Sequence, residues 1–241
     1  MTITMYDLAG IEADRRFSPF CWRTKMALAH KGLDAETVPW RFTEKDKLPS
    51  PNQGRVPVIC DRDRIIHDST AIADYLDETY PDPPLQPQSG KEREVMHEWL
   101  RTATEIHVPA VKTLIYTRKI GKVLHKNEAE DAKYRSLQRD PELLAFHSRA
   151  STGIGLPKEQ VDRAEAMLLR SFGMAEEELS QHAWLVGDQF SLADISWAPL
   201  HFTLAGVDFP FHRYPHVGAW ADAIRERPSF QEGVLRWCPK F

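Results

Sequence analysis

The chain has 241 residues, a formal net charge of −4, and 42% hydrophobic against 27% charged residues. That composition is ordinary for a globular protein and long enough for one large domain or two modest ones, each with an apolar core. With no basic block it gives no electrostatic reason to expect nucleic acid as a partner, and no apolar run reaches the roughly 18 residues of a membrane span.

The first eighty residues change hydrophobic period quickly. "TITMYDL" alternates as a strand does, and "PFCWRTKMALAHKG" then runs at helical spacing, with Phe20, Thr24, Ala27 and Leu28 on one side and Gly32 as the stop. "AETVPWRF" reads as a second strand, and "RVPVICDRDRIIHD" as a hairpin turning at Asp61-Arg62-Asp63. "STAIADYLDETYP" is a helix with Ile72, Tyr75, Leu76 and Tyr80 in register and Pro81 ending it. This order makes an α/β unit.

"PDPPLQPQSG", residues 81 to 90, carries four prolines and reads as a semi-rigid linker. We place the domains at 1–82 and 91–241, with 83–90 between them. From Val95 the apolar positions Met96, Trp99, Leu100, Ala103, Ile106, Ala110, Val111 and Leu114 predict a long helix, kinked at Pro109. Residues 120 to 155 are charged and poorly patterned, and "STGIGLP" reads as a loop. "KEQVDRAEAMLLRSFGMAEEEL", "SLADISWAPLHFTLAG" and "YPHVGAWADAIRERPSF" supply three further helices. Most of the seven tryptophans are expected to pack the core or a dimer interface.

Three widely spaced cysteines, Cys21, Cys60 and Cys238, argue against a disulfide framework and for a reducing compartment. No signal sequence is legible at the start, so the expected location is cytoplasmic. No His-Glu-x-x-His occurs, and Pro215 separates His212 from His216, so no metal is expected. Nucleotide-binding glycine motifs are absent from the sequence too.

Two places carry chemistry. Ser18, followed by Pro19, stands where a loop becomes a helix. A group there meets unpaired backbone N–H donors and the positive end of the helix dipole, which favour an anion. A thiol that titrates near ~8.5 becomes roughly three-quarters thiolate at neutral pH if brought down to about 6.5, a change worth about 2.7 kcal/mol. Ser18 is equally readable as a helix cap. The second place pairs "RVPVI" with "HDSTAIADYL". Pro57 interrupts a strand pattern, for which a cis peptide is one solution. Asp68, Ser69 and Thr70 open a helix with a carboxylate and hydroxyls suited to the ends of a zwitterionic amino acid, or merely cap it.

Taken together, "SPFC" at the first helix, "VPV" at 56 to 58, "DSTAIADYL" at 68 to 76 and "GDQFSLADISWAP" at 187 to 199 resemble the glutathione S-transferase superfamily over essentially the whole chain. The last stretch looks like a capping box of Ser191 and Asp194, a stability element. The resemblance implies a thioredoxin-like α/β N-terminal domain, an all-α C-terminal domain and glutathione as cosubstrate. It implies that Ser18 activates the sulfur, that Val56 pairs its backbone with the cysteinyl part beside a cis-Pro57, and that Asp68 and Ser69 take the γ-glutamyl end. It also implies a homodimer.

"SPFCWRTKMALAHKGLDAETVPWRFTEKD" and "LPKEQVDRAEAMLL" further resemble the bacterial β-etherases and their fungal relatives, which implies attack of glutathione sulfur on an aromatic ether. Trp99 and Tyr116 line such a pocket or belong to the core. Three features depart from the pattern: Asp68 replaces the commoner Glu, the loop from Ala9 to Phe17 is long, and residues 120 to 155 match nothing. Arg15 and Arg16 in that loop reach the active site or coat the surface. Two alternatives stand beside the transferase: a non-catalytic glutathione-binding or regulatory scaffold, and a thiol-disulfide oxidoreductase using Cys21.

Overall fold

The computed structural model describes residues 2–10, 12–50, 54–120, 128–138, 141–150, 155–238 and 240. Strand β1 (Ile3–Leu8), helix α1 (Pro19–His30) and strand β2 (Ala35–Trp40) form a crossover unit, and β1 and β2 pair in parallel from Ile3↔Ala35 to Leu8↔Trp40. Strands β3 (Val58–Asp61) and β4 (Arg64–His67) add antiparallel on the other edge, giving the order β2-β1-β3-β4. Arg62 supplies the positive φ of 55° in the hairpin turn. Helix α2 (Ser69–Thr79) follows.

Helix α1 has no solvent face of the usual width: every residue from Cys21 to Leu28 is buried, including Arg23, Thr24 and Lys25. It is packed by α2, by helix α7 (Leu192–Ala205) and by a C-terminal π-helical turn (Gln231–Leu235). The Trp22 ring meets Phe202 edge-on at 5.7 Å. Burial of these faces supplies most of the driving force.

The helical half begins with α3 (Gly90–Glu105). It continues through a π-helical stretch (His107–Lys112), an α turn (Thr113–Ile115) and a second π stretch (Tyr116–Ile120). The irregularity expected at Pro109 takes this form. Proline lacks an N–H and its ring crowds the carbonyl four residues back, so the turn widens. Both Ala110 and Val111 then donate to the Ile106 carbonyl, at 3.0 and 3.1 Å.

Helices α4 (Glu128–Leu137) and α5 (Pro141–Ala150) occupy the segment in which no pattern was legible. Their inward faces are short, with Tyr134, Phe146 and His147 as buried members. Of the "STGIGLP" loop, residues 151–154 lie outside the described residues, and Gly155 to Pro157 are non-helical.

Helix α6 (Lys158–Leu179), α7 and α8 (Pro215–Glu226) complete the bundle. The capping box at α7 is formed: Ala193 N–H donates to Ser191 Oγ at 3.3 Å and Ser191 N–H donates to Asp194 at 2.9 Å. Asp194 also accepts from Leu185 N–H and Trp220 Nε1–H, at 3.1 and 2.9 Å, so one buried carboxylate joins three segments. Trp22, Trp40, Trp99, Trp197 and Trp220 are core residues. No described helix is long and apolar enough to cross a membrane.

Candidate active site

The sheet itself gathers the sequence-predicted residues. The parallel pair β1–β2 ends at Leu8 and Trp40, and β3 runs antiparallel to β1 with Val58 beside Tyr6. Val56 and Pro57, just before β3, therefore lie at the same end of the sheet as the loop leading to Ser18. Val58 also pairs with His67, so β4 ends there too and delivers Asp68 and Ser69. Ser18, Val56, Pro57, Asp68 and Ser69 thus share the edge where parallel strands finish and helices begin, the usual place for ligands in open α/β sheets.

Ser18 is extended (φ −85°, ψ 118°), 8% exposed, and caps α1: its Oγ accepts from Cys21 N–H at 3.4 Å. An oxygen that accepts at a cap keeps its own hydrogen to donate. Capping and holding an anion are therefore compatible at Ser18. Cys21 is fully buried, and burial first and Asp7 second push its thiol well above its ordinary range. A thiol so disposed is a poor nucleophile.

The Val56–Pro57 peptide is cis. Asp68 has φ 75° and ψ 130°, and its carboxylate accepts from Thr70 and Ala71 N–H at 2.9 and 3.2 Å. A positive φ in a non-glycine residue costs of order 1–3 kcal/mol and collects at ligand sites. Ser69 beside it is buried.

Two residues at the site were not read from the sequence. Arg23 is buried on α1, donates to Thr104 Oγ1 at 3.2 Å, and its guanidinium carbon lies 4.5 Å from the Phe20 ring centre. Among the described residues its Nε and Nη2 have no hydrogen-bond partner, and it lines a small cavity with Ser69, Thr70 and Ser196. Burial brings it down to about 9, against the opposing pull of Asp68. His107 packs edge-on against Phe20 at 4.6 Å, and burial, Lys112 and Arg23 hold it neutral, at about 3.

Beneath Ser18 lies a buried ionic group. Asp7, on the inward face of β1, pairs with Arg16 at 3.3 Å and with Lys25. Lys25 sits 3.4 Å from the Trp237 ring centre, and burial lowers it to about 8 despite Asp7. Arg16 N–H donates to the Trp237 carbonyl at 3.3 Å, and Trp22 Nε1–H donates to the Arg16 carbonyl at 3.1 Å. Arg16 therefore ties the long loop to the C-terminal tail. Arg15 is exposed, next to Cys238.

Of the two aromatic candidates, Trp99 is core, edge-on to Trp197 at 5.1 Å with its carbonyl accepting from Trp197 Nε1–H at 3.0 Å. Tyr116 is half-buried and its hydroxyl lies 3.2 Å from His147 Nδ1.

Residues 13–84 match the glutathione S-transferase N-terminal domain and residues 124–228 match the glutathione S-transferase C-terminal domain. The chain belongs to the glutathione S-transferase family. It is 28% identical over 218 residues to glutathione S-transferase Z1 of Arabidopsis thaliana, covering 88% of this chain and 85% of that one. It is also 28% identical over 225 residues to Protein LigF of Sphingobium, covering 85% of each. The crystal structure of the β-etherase LigF superposes with a TM-score of 0.79 at 24% identity, covering 97% of this chain and 98% of that one. This confirms the thioredoxin-like domain and the helical domain.

Glutathione is the family's cosubstrate, a thiol tripeptide with two carboxylates and one ammonium. The residues present fit it. Arg23 offers a buried cation with unpartnered donors beside the α2 N-terminus, the segment just before β3 offers backbone at Val56, and Ser18 offers a hydroxyl at the α1 N-terminus.

Proposed function

We propose that the chain is a glutathione transferase in which the Ser18 hydroxyl holds glutathione sulfur as a thiolate for attack on an aromatic electrophile, with β-aryl ether cleavage as the reaction. The observation that carries this is the meeting of Ser18, Val56–Pro57 and Asp68–Ser69 at one sheet end, with a hydroxyl hydrogen left to donate at a helix N-terminus. Ser18 donates to sulfur, and the first N–H groups of α1 add to the field that favours the anion. Val56 presents backbone to the cysteinyl part. Asp68 keeps one carboxylate oxygen on the α2 cap and turns the other to the ammonium, while Ser69 and Arg23 take the neighbouring carboxylate.

The ether reading draws on the likeness to LigF, the β-etherase whose crystal structure superposes on this chain. In this reading the boundary stands at 1–82 and 91–241, the assembly is a homodimer and the location is cytoplasmic. The buried, proton-retaining Cys21 speaks against the oxidoreductase alternative.

Ser18→Ala is expected to leave the circular dichroism spectrum unchanged and to lower turnover about 10- to 1,000-fold, as for loss of one activating hydrogen bond. Unchanged turnover moves the activating role to a backbone N–H or to another side chain. Absence of both turnover and glutathione binding in the wild-type protein would leave a scaffold.

A further inference from the structure

The region where no sequence pattern was legible folds over a titratable group that the thiol site does not use. Lys112 Nζ lies 2.8 Å from His147 Nε2, and Tyr116 Oη lies 3.2 Å from His147 Nδ1. His147 is buried, with Tyr116, Tyr134 and Phe146 edge-on to its ring at 5.2, 5.3 and 5.5 Å. A lysine, an imidazole and a phenol in series, walled by aromatic rings, is an unusual core.

Its place in the fold relates it to the thiol site from two sides. Phe20, two residues beyond Ser18, packs on His107; five residues further, one π turn, stands Lys112, and four beyond that stands Tyr116. These three residues follow one side of the long helix away from the start of α1. From the sheet, Phe42 just past β2 has its ring 6.4 Å from His147 and 6.3 Å from Tyr134, and it packs on Trp40. The Trp40 carbonyl accepts from Ala9 N–H at 2.8 Å, at the head of the loop that ends in Ser18. The Lys112–His147–Tyr116 series therefore flanks the sheet end where sulfur is held.

The partners fix the proton positions. With Lys112 an ammonium, His147 Nε2 accepts, so the ring proton is on Nδ1 and points at the Tyr116 oxygen. That leaves the Tyr116 hydrogen free to turn toward a third group.

We propose that Tyr116, backed by His147 and Lys112, is the proton donor to the oxygen that leaves the second substrate. This rests on the reading of ether cleavage above. The thiolate forms a carbon–sulfur bond while the carbon–oxygen bond breaks and leaves its electron pair on the aryl oxygen. Tyr116 Oη–H gives that oxygen its proton, His147 Nδ1–H, kept in that tautomer by the Lys112 ammonium at Nε2, donates to the phenolate left on Tyr116, and water entering as the product leaves returns the proton to Tyr116. The proton gained by the leaving phenol balances the one lost earlier by the thiol, and nothing is oxidised or reduced. Burial, with Tyr134 nearby, holds the Tyr116 phenol above its ordinary range, so it carries its proton at neutral pH, and the hydrogen bond from His147 must offset that burial for the proton to pass to the leaving oxygen.

The test is leaving-group dependence in Tyr116→Phe, which keeps the ring and removes the hydroxyl. The expected loss is about 100-fold for an alkoxyphenol, whose anion needs a proton, and about threefold or less for a nitrophenol. Conjugation to a halogenated nitroaromatic, which expels halide, should fall no further than the nitrophenol ether does. Lys112→Met should show the same ordering with smaller losses, covering the case in which Tyr116→Phe folds poorly. In the glutathione-free protein, Tyr116→Phe should also weaken calorimetric binding of the product alkoxyphenol about tenfold, the worth of one hydrogen bond. Equal losses for both ethers, or none, would overturn the relay while leaving ether cleavage intact. Halide conjugation without cleavage of either ether by the wild-type protein would overturn both the relay and the ether reading, and would leave the Ser18 thiolate standing.

Discussion

In the proposed reading Ser18 and Arg23 divide the work at the start of α1 by chemistry. Ser18 would bring a neutral hydroxyl to the sulfur, so its removal should fall on turnover. Arg23 brings a buried charge near Ser69 and Thr70, so its removal should fall on binding. Arg23→Met is expected to raise the glutathione KM about 10- to 100-fold, the scale of one charged hydrogen bond, with kcat changed far less. Steady-state kinetics checks the split; a loss confined to kcat would contradict the assignment. The placement of Ser18, Val56, Pro57, Asp68 and Ser69 at one end of the sheet was legible because each sits where a period changes, as cap, strand breaker or helix start. Arg23 and His107 were not. A charged residue among buried apolar ones gives a helical pattern no sign of where it points, and only the packing of α1 against α7 and the tail puts Arg23 inside.

At the scale of elements, α1 is held from behind by the C-terminal turn. A methyl at Gly233 would meet the Met26 backbone nitrogen at 2.8 Å, which is inside van der Waals contact. Gly233→Ala is expected to cost about 1–3 kcal/mol and lower the melting temperature, since α1 and the turn must separate. An unchanged melting temperature would show that the tail does not bear on α1. The capping box of α7 was readable as spacing, because Ser191 and Asp194 satisfy each other within one turn. Helices α4 and α5 were not readable. Their buried faces are too narrow to give a period, and those faces meet partners far off in the chain, such as Phe42 and the long helix. Pro109 was legible as a disturbance, though not as a π-helical one.

For the whole molecule, two half-buried histidines contribute to the response to acid. Burial, with Arg225 nearby, lowers His201 to about 4, and His107 is lowered to about 3. A depressed folded value means that the unfolded chain takes the proton first. Stability is then intact above about 6.5 and falls as pH drops from there toward 4, by up to about 3 kcal/mol for each group. Asp194 acts in the opposite sense: burial raises it to about 6, so the folded state takes its proton first and gains as pH falls through that value. The comparison that isolates the histidine term is His201→Gln against wild type in urea at pH 7 and pH 5. The stability lost between the two should be smaller in the variant, and equal losses would contradict a neutral His201.

The central claim, that Ser18 holds a thiolate, is met most directly by the ultraviolet absorbance of protein-bound glutathione thiolate followed against pH. Wild type should titrate near pH ~6.5, about two units below free thiol, and Ser18→Ala should return toward ~8.5 while still binding glutathione. Bound sulfur that titrates with the same midpoint in both proteins would contradict the account.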